Sequence, residues 1–140
     1  MKLPFTGGCL CGAIRYECSV EPMMMGNCHC RHCQQSTGTA FAAAILVPRN
    51  AVIITGAITY YEIKGDSGRI VGRGFCPICG SRLFSKPPVS DLFGIMAGSL
   101  DDPSLFHPGM DFYAASAQPW DYMNPDLPKF AKLPSNWRST

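Results

Sequence analysis

"GFCPICGSRLF", residues 74–84, holds two cysteines three positions apart inside a stretch rich in strand-forming residues. Cys76-Pro-Ile-Cys79-Gly80 reads as a zinc knuckle, in which the chain turns sharply so that both sulfurs face one ion. Gly80 tolerates the backbone conformation that follows the second ligand, and amides in the turn can point at the sulfurs. Two thiolates are half of a closed structural site, so two more ligands must come from elsewhere in the chain. "GGCLCGAIRY", residues 7–16, offers them, since Cys9 and Cys11 share a face if this segment is extended. A four-thiolate zinc on Cys9, Cys11, Cys76 and Cys79 would tie the first strand to a late hairpin, and its binding energy would be folding energy. A redox pair is the alternative for Cys76 and Cys79. Redox C-x-x-C motifs open a helix in a βαβ setting, however, and this region predicts strands and turns.

Away from the knuckle the chain reads as short strands. Residues 13–18 alternate, with Ile14, Tyr16 and Cys18 on one face and Arg15 and Glu17 on the other. The apolar run 41–47 ends at Pro48 and suits a buried strand. The β-rich pieces 51–54 and 57–63 are parted by Thr55-Gly56, which suggests a hairpin or bend. Further strands are expected at 69–75, 82–85 and 92–96, with Gly65, Gly68, Gly72 and Gly74 marking turns or bulges. Helix signals are poor: one or two turns after Cys30, through Gln34 and Gln35, stopping near Gly38. The segment 119–134 carries Pro119, Pro125, Pro128 and Pro134 and should run as an irregular strap, anchored by Trp120, Phe130 and Trp137.

The 140 residues, 46% apolar and 16% charged, predict one domain spanning 1–140 with a substantial core and not a disordered segment. A net charge of +2 is too weak a basic balance to argue for nucleic acid, and the longest apolar run is too short to span a bilayer. "MKLPFTGGCL" has proline and paired glycines where a signal peptide would be apolar, so a reducing, cytoplasmic setting is expected. Disulfides are the alternative use of eight cysteines, but these are bunched too tightly to staple distant segments.

"NCHCRHCQQSTG", residues 27–38, packs Cys28, Cys30 and Cys33 with two histidines into six consecutive positions. A strand end followed by a turn can bring these three sulfurs together, and three thiolates on zinc leave one coordination place for water or substrate. His29, His32, His107 or Cys18 could fill that place, or the trio could be a metal-free redox relay. In an extended stretch His29 points away from its cysteine neighbours, while His32 could reach in or donate to a sulfur from outside. Cys18, on an alternating strand, suits a small buried hydrophobe. His29, His32, Gln34, Ser36 and Thr37 are candidates for proton transfer or orientation, and sequence assigns none of them a catalytic role.

Taken in order, C-x-C, C-x-C-x-x-C and C-P-x-C-G, with the flanks "IMAGSLDDP" and "AQPW", the chain resembles the glutathione-dependent formaldehyde-activating enzyme family, to which centromere protein V is also similar. The resemblance implies a mainly antiparallel β-tent with little helix, and two Zn²⁺ per chain. In it, Cys9, Cys11, Cys76 and Cys79 correspond to structural zinc ligands and Cys28, Cys30 and Cys33 to those of a catalytic zinc. It also implies a carbon–sulfur lyase of the S-(hydroxymethyl)glutathione synthase type, which joins a thiol reversibly to a small aldehyde and serves formaldehyde detoxification. The sequence departs from the family where a histidine is expected before the late tryptophan: "HPGMDFYAASAQPW" has Asp111 there, with His107 shifted. Two other functions compete with the enzyme. One is a noncatalytic zinc module docking a protein or nucleic acid through Phe75, Phe84, Phe93, Phe112 and Tyr113, although strand spacing suits those rings to a core. The other is a thiol redox enzyme. Oligomeric state is open.

Overall fold

The computed structural model describes residues 1–88 and 91–134. Along these the strands are β1 (Phe5–Gly8), β2 (Arg15–Cys18), β3 (Met24–Cys28), β4 (Ala42–Pro48), β5 (Val52–Thr55), β6 (Thr59–Lys64), β7 (Ile70–Phe75), β8 (Arg82–Lys86), β9 (Leu92–Met96) and β10 (Asp111–Phe112). One short α-helix, α1 (Arg31–Thr37), lies between β3 and β4. The chain is mainly β and mainly antiparallel, as its composition and alternation lead one to expect. A three-stranded sheet runs in the order β1-β2-β5, and a seven-stranded sheet in the order β10-β3-β4-β9-β8-β7-β6. All pairings are antiparallel except that of β10 with β3.

Period-two alternation splits the central strands between two faces. Ile45 and Val47 of β4, Phe84 of β8, and Phe93 and Ile95 of β9 meet Phe5, Tyr16, Cys18 and Val52 of the small sheet in one core. The Tyr16 ring stands edge-on to Phe84 at 5.4 Å, and Phe84 lies 5.0 Å from Phe93. Phe84 and Phe93 are fully buried, hence these rings are packing and not a docking face, while Phe112 is nearly buried and borders a cleft. Cys18 is likewise a fully buried core residue. Gly7 is required where the sheets close: a Cβ there would fall 2.2 Å from the Tyr16 hydroxyl and 2.4 Å from the Ser99 carbonyl oxygen.

Thr55-Gly56 is a bend, not a hairpin, because β5 pairs with β2 while β6 pairs with β7 in the other sheet. Gly72 and Gly74 lie inside β7, whose register to β8 shifts between Gly74 and Phe75. The strap over 119–134 is held by backbone. Asp111 N–H donates to Pro128 O, Phe130 N–H to Asp111 O and Tyr113 N–H to Lys132 O, each at 2.9 Å. Aromatic anchoring is corrected accordingly: Trp120 is 69% exposed, and Trp137 lies outside the described residues. No helix among the described residues is long and apolar enough to cross a membrane.

Candidate metal centres

Both sulfur clusters form. All eight cysteines are free thiols, and the Sγ atoms of Cys9, Cys11, Cys76 and Cys79 lie within 4.8 Å of one another. Cys76 and Cys79 sit in the turn between β7 and β8, where Gly80 adopts φ +77° and donates its N–H to Cys76 O at 2.9 Å. Cys9 and Cys11 follow β1 in a turn, closed by Gly12 N–H to Cys9 O at 3.1 Å, and not in the extended segment expected from the C-x-C spacing. The turn does the same work by folding both thiols to one side.

The chemistry of the donor set fits a tetrahedral ion. Sulfurs at the usual zinc–sulfur distance would be about 3.8 Å apart along a tetrahedral edge. Cys9 and Cys11 sulfurs are 3.6 Å apart and those of Cys11 and Cys76 are 3.8 Å apart, far beyond disulfide contact. Amide protons converge on them: Ile14 N–H on Cys9 Sγ at 3.2 Å, and Ile78 and Cys79 N–H on Cys76 Sγ at 3.4 and 3.5 Å. The Ser81 hydroxyl, first, and the Ser81 amide, second, draw the Cys79 thiol down to about 5. Hydrogen bonds to the ionised form do this because they stabilise thiolate over thiol.

In the second cluster the Sγ atoms of Cys28, Cys30 and Cys33 also lie within 4.8 Å of one another. Cys28 ends β3, Cys30 caps α1 by accepting the Cys33 N–H at 3.3 Å, and Cys33 is in the first helical turn. The turn closes at Gly38, which adopts φ +70°. Among the described residues no histidine, carboxylate or further cysteine joins these three sulfurs. Hydrogen bonds from Cys28 and then Cys33 pull Cys30 down to about 2, while the same sharing pushes Cys28 up, so the trio sheds a first proton readily and holds its last.

The residues proposed around the trio separate cleanly. His29 is 1% exposed and turned away, with Nε2 2.8 Å from Asp111 Oδ1 and Nδ1 3.0 Å from Asp121 Oδ2. Burial would raise the Asp111 carboxyl, but hydrogen bonds from His29, Asn27 and Lys129 hold it below the ordinary value. Asp111 therefore faces His29 and is not among the residues that line the cleft. Gln34 donates to His29 O and Ser116 O at 2.7 and 2.9 Å, and the Ser36 and Thr37 hydroxyls both bond Cys33 O. His32 lines the cleft described next, whereas His107 lines a separate, smaller hollow with Met1 and Glu21.

Sequence reading missed Arg73. It is 9% exposed, on β7, and its Nη1 donates to Cys33 Sγ at 3.3 Å while its Nε has no partner. Arg82 stands close enough that burial first, and the Arg73 charge second, lower its guanidinium to about 10. Two crowded cations beside buried sulfurs call for negative charge there, since an unpaired buried guanidinium is costly. Three thiolates on Zn²⁺ carry net −1, which Arg73 would balance. The signal was an arginine inside a strand pattern, between two glycines that read as turns.

Cys28, Cys30 and Cys33 open on a cleft of about 780 Å³, within the range of small-molecule sites. Its lining includes the cations Arg31, Lys64, Arg69, Arg73 and Lys132 against the single carboxylate Asp66. Tyr113 lines it too, at φ +55°, a conformation that costs a bulky residue of order 1–3 kcal/mol. Burial, then the Asp66 charge, push the Tyr113 phenol up to about 12, so it keeps its proton at neutral pH.

An antiparallel β scaffold presenting a four-sulfur cluster and a separate three-sulfur cluster on a cleft defines a cysteine-rich β protein able to hold two metal ions. The model of the glutathione-dependent formaldehyde-activating enzyme family matches residues 4–116, and the chain belongs to that family. It is similar to a Penicillium rubens protein provisionally named a glutathione-dependent formaldehyde-activating enzyme, 30% identical over an alignment 87 residues long that covers 59% of this chain and 45% of the relative. The chain thus matches less than half the length of that relative. A crystal structure of a Rhodobacter sphaeroides protein shares the fold, with TM-score 0.54 and 20% identity over 89% of this chain and 98% of the other.

Proposed function

We propose that the chain is a zinc-dependent carbon–sulfur lyase that reversibly adds a glutathione-like thiol to a small aldehyde such as formaldehyde, with Cys9, Cys11, Cys76 and Cys79 holding a structural ion. Cys28, Cys30 and Cys33 would hold the second. The observation that carries this reading is the trio's placement: three converging sulfurs, no fourth protein donor among the described residues, and a cleft in front. A bound zinc would supply Lewis acidity and a lowered thiol pKa.

The chain's own residues account for the rest. In the addition the thiol S–H breaks, an S–C bond forms, and the carbonyl oxygen gains the proton as hydroxyl. Exposed Arg31, Lys64 and Arg69, with Lys132 paired to Asp66 at 3.3 Å, would attract an anionic thiol and bind its carboxylates. Arg73 offsets the charge gathered at Cys33. Tyr113, protonated and on the cleft wall, donates its hydroxyl to Asp66 Oδ2 at 3.3 Å, and would turn that hydrogen bond to the oxygen as charge develops on it. Much of any acceleration would come from holding the two reactants together. Thiolate ligands suit a reducing compartment such as the cytoplasm, and formaldehyde detoxification is the corresponding role.

The test follows ¹³C-formaldehyde exchanging with glutathione by exchange spectroscopy on zinc-loaded protein. The proposal expects exchange well above the uncatalysed rate, falling to that rate in Cys30→Ser with the fold retained. Exchange at background with the native protein would end it.

A further inference from the structure

The sheet face that carries Cys28 continues as an apolar floor. In the registers of β3, β4 and β9, Cys28 pairs with Ala42, Ala44 with Met96, and Met24 with Leu46, so these side chains share one face. Phe112 pairs with Cys28 from the other side. All six apolar residues line the cleft, on the opposite face of the sheet from the Ile45 and Val47 core. From Ala42 to Leu46 the floor runs four strand steps, about 14 Å. Arg73 and Ser85 share this face three and two strands to the side, in the row Leu46, Gly94, Ser85, Arg73, with Arg73 turned to Cys33. The other cations lie elsewhere on the cleft wall: Arg31 on α1, Lys64 and Arg69 at the β6–β7 turn, and Lys132 on the strap.

Neither reactant named so far uses this floor. A one-carbon aldehyde is too short to reach beyond its start. The amides of a glutathione-like peptide laid on alanine, leucine and methionine would lose water without gaining partners. An extended hydrocarbon chain, at about 1.3 Å per carbon, would need ten or so carbons to cover the length.

We propose that the aldehyde partner of this site carries an unbranched aliphatic tail of about eight to ten carbons that lies on the floor from Ala42 toward Leu46. The inference rests on the thiol–aldehyde reading above and narrows its substrate. The thiol S–H breaks, the S–C bond forms at the aldehyde carbon, and the proton ends on oxygen; nothing is oxidised or reduced.

Calorimetry of the zinc-loaded chain with S-methyl, S-butyl, S-hexyl and S-octyl glutathione tests the floor without turnover. Affinity should rise about threefold to fourfold per methylene and level off near the octyl chain. Ala44→Leu, which fills the middle of the floor, should flatten the series beyond butyl. Leu46→Asn should remove only the last increments, and with the native series it decides the matter if Ala44→Leu does not fold. A flat native series, or a rise indifferent to both substitutions, overturns the proposal. In the exchange assay, octanal outpacing formaldehyde with glutathione supports the tail. Formaldehyde equal or faster overturns the tail and leaves the thiol–aldehyde reading standing; no exchange with either overturns both.

Discussion

At the four-sulfur cluster Cys11 is exposed and Cys79 half-buried, yet four sulfurs complete the donor set. Fully buried Cys76 gathers the amides of Ile78 and Cys79, while Ser81 supports Cys79. At the three-sulfur cluster Cys30 is half-buried on a cleft, and the supports come from far along the chain: Arg73 on β7, and Asp111 and Asp121 on either side of His29. A site that closes on itself can be organised largely by turns adjacent to its ligands. A site left open lacks one strut and must be held by charges and hydrogen bonds brought in by the fold. That difference separates a cluster built for stability from one built to admit a ligand.

The largest expected effect breaks the comparison at its closed end. Structural zinc in small domains contributes on the order of 10 kcal/mol, comparable to the whole stability of a domain. Cys76→Ser should therefore abolish cooperative folding, read as loss of the thermal transition by circular dichroism. Survival of a normal transition would show that the quartet is not the scaffold. Next, Asp111→Ala leaves His29 and Lys129 beside an emptied position, and removing one partner of a buried pair costs about 3–5 kcal/mol. The unfolding free energy from denaturant titration should fall by that much, with metal at the trio weakened before metal at the quartet.

A smaller effect sharpens the open end. Arg73→Met removes the cation at Cys33, and loss of such outer support typically costs 10- to 100-fold in metal affinity. Competition with a chromophoric chelator should show that loss at one ion per chain and none at the other. The smallest concerns Asp101, which takes hydrogen bonds from Arg15 first and Thr6 second and is held at about 2. A depressed carboxylate contributes stability above its unfolded value of about 3.9 and loses it as pH falls through its folded value. Both partners are nearly half exposed, so solvent screening limits the contribution to about 0.5 kcal/mol. Asp101→Asn should lower the melting temperature slightly at about pH 6, and the difference should shrink in about 1 M salt, which screens this exposed pair.

The ligand clusters were legible in the sequence because their spacing is local and their atom type is unambiguous. Most strands were legible for the same reason: alternation at Ile14, Tyr16 and Cys18 or the apolar run ending at Pro48 needs no partner to be seen. β1, β3 and β10 were not, because Phe5–Gly8 is half glycine, Met24–Cys28 lacks alternation around Gly26, and Asp111–Phe112 is two residues long, so pairing defines them and pattern does not. The split into two sheets at Gly56 was hidden because a bend and a hairpin share one signature. Arg73, Tyr113 and the His29 pairings were invisible for a deeper reason. Each acquires meaning from a neighbour at least 40 positions away, as in Cys33 to Arg73 at a separation of 40, Tyr113 to Asp66 at 47 or His29 to Asp111 at 82.

The central claim is that the two clusters differ in having a replaceable coordination place. The direct measurement is ¹¹³Cd NMR of the cadmium-substituted chain, titrated with glutathione. The account predicts two resonances, one of which shifts on thiol addition while the other stays still. Two immobile resonances, or a single one at full loading, would contradict it.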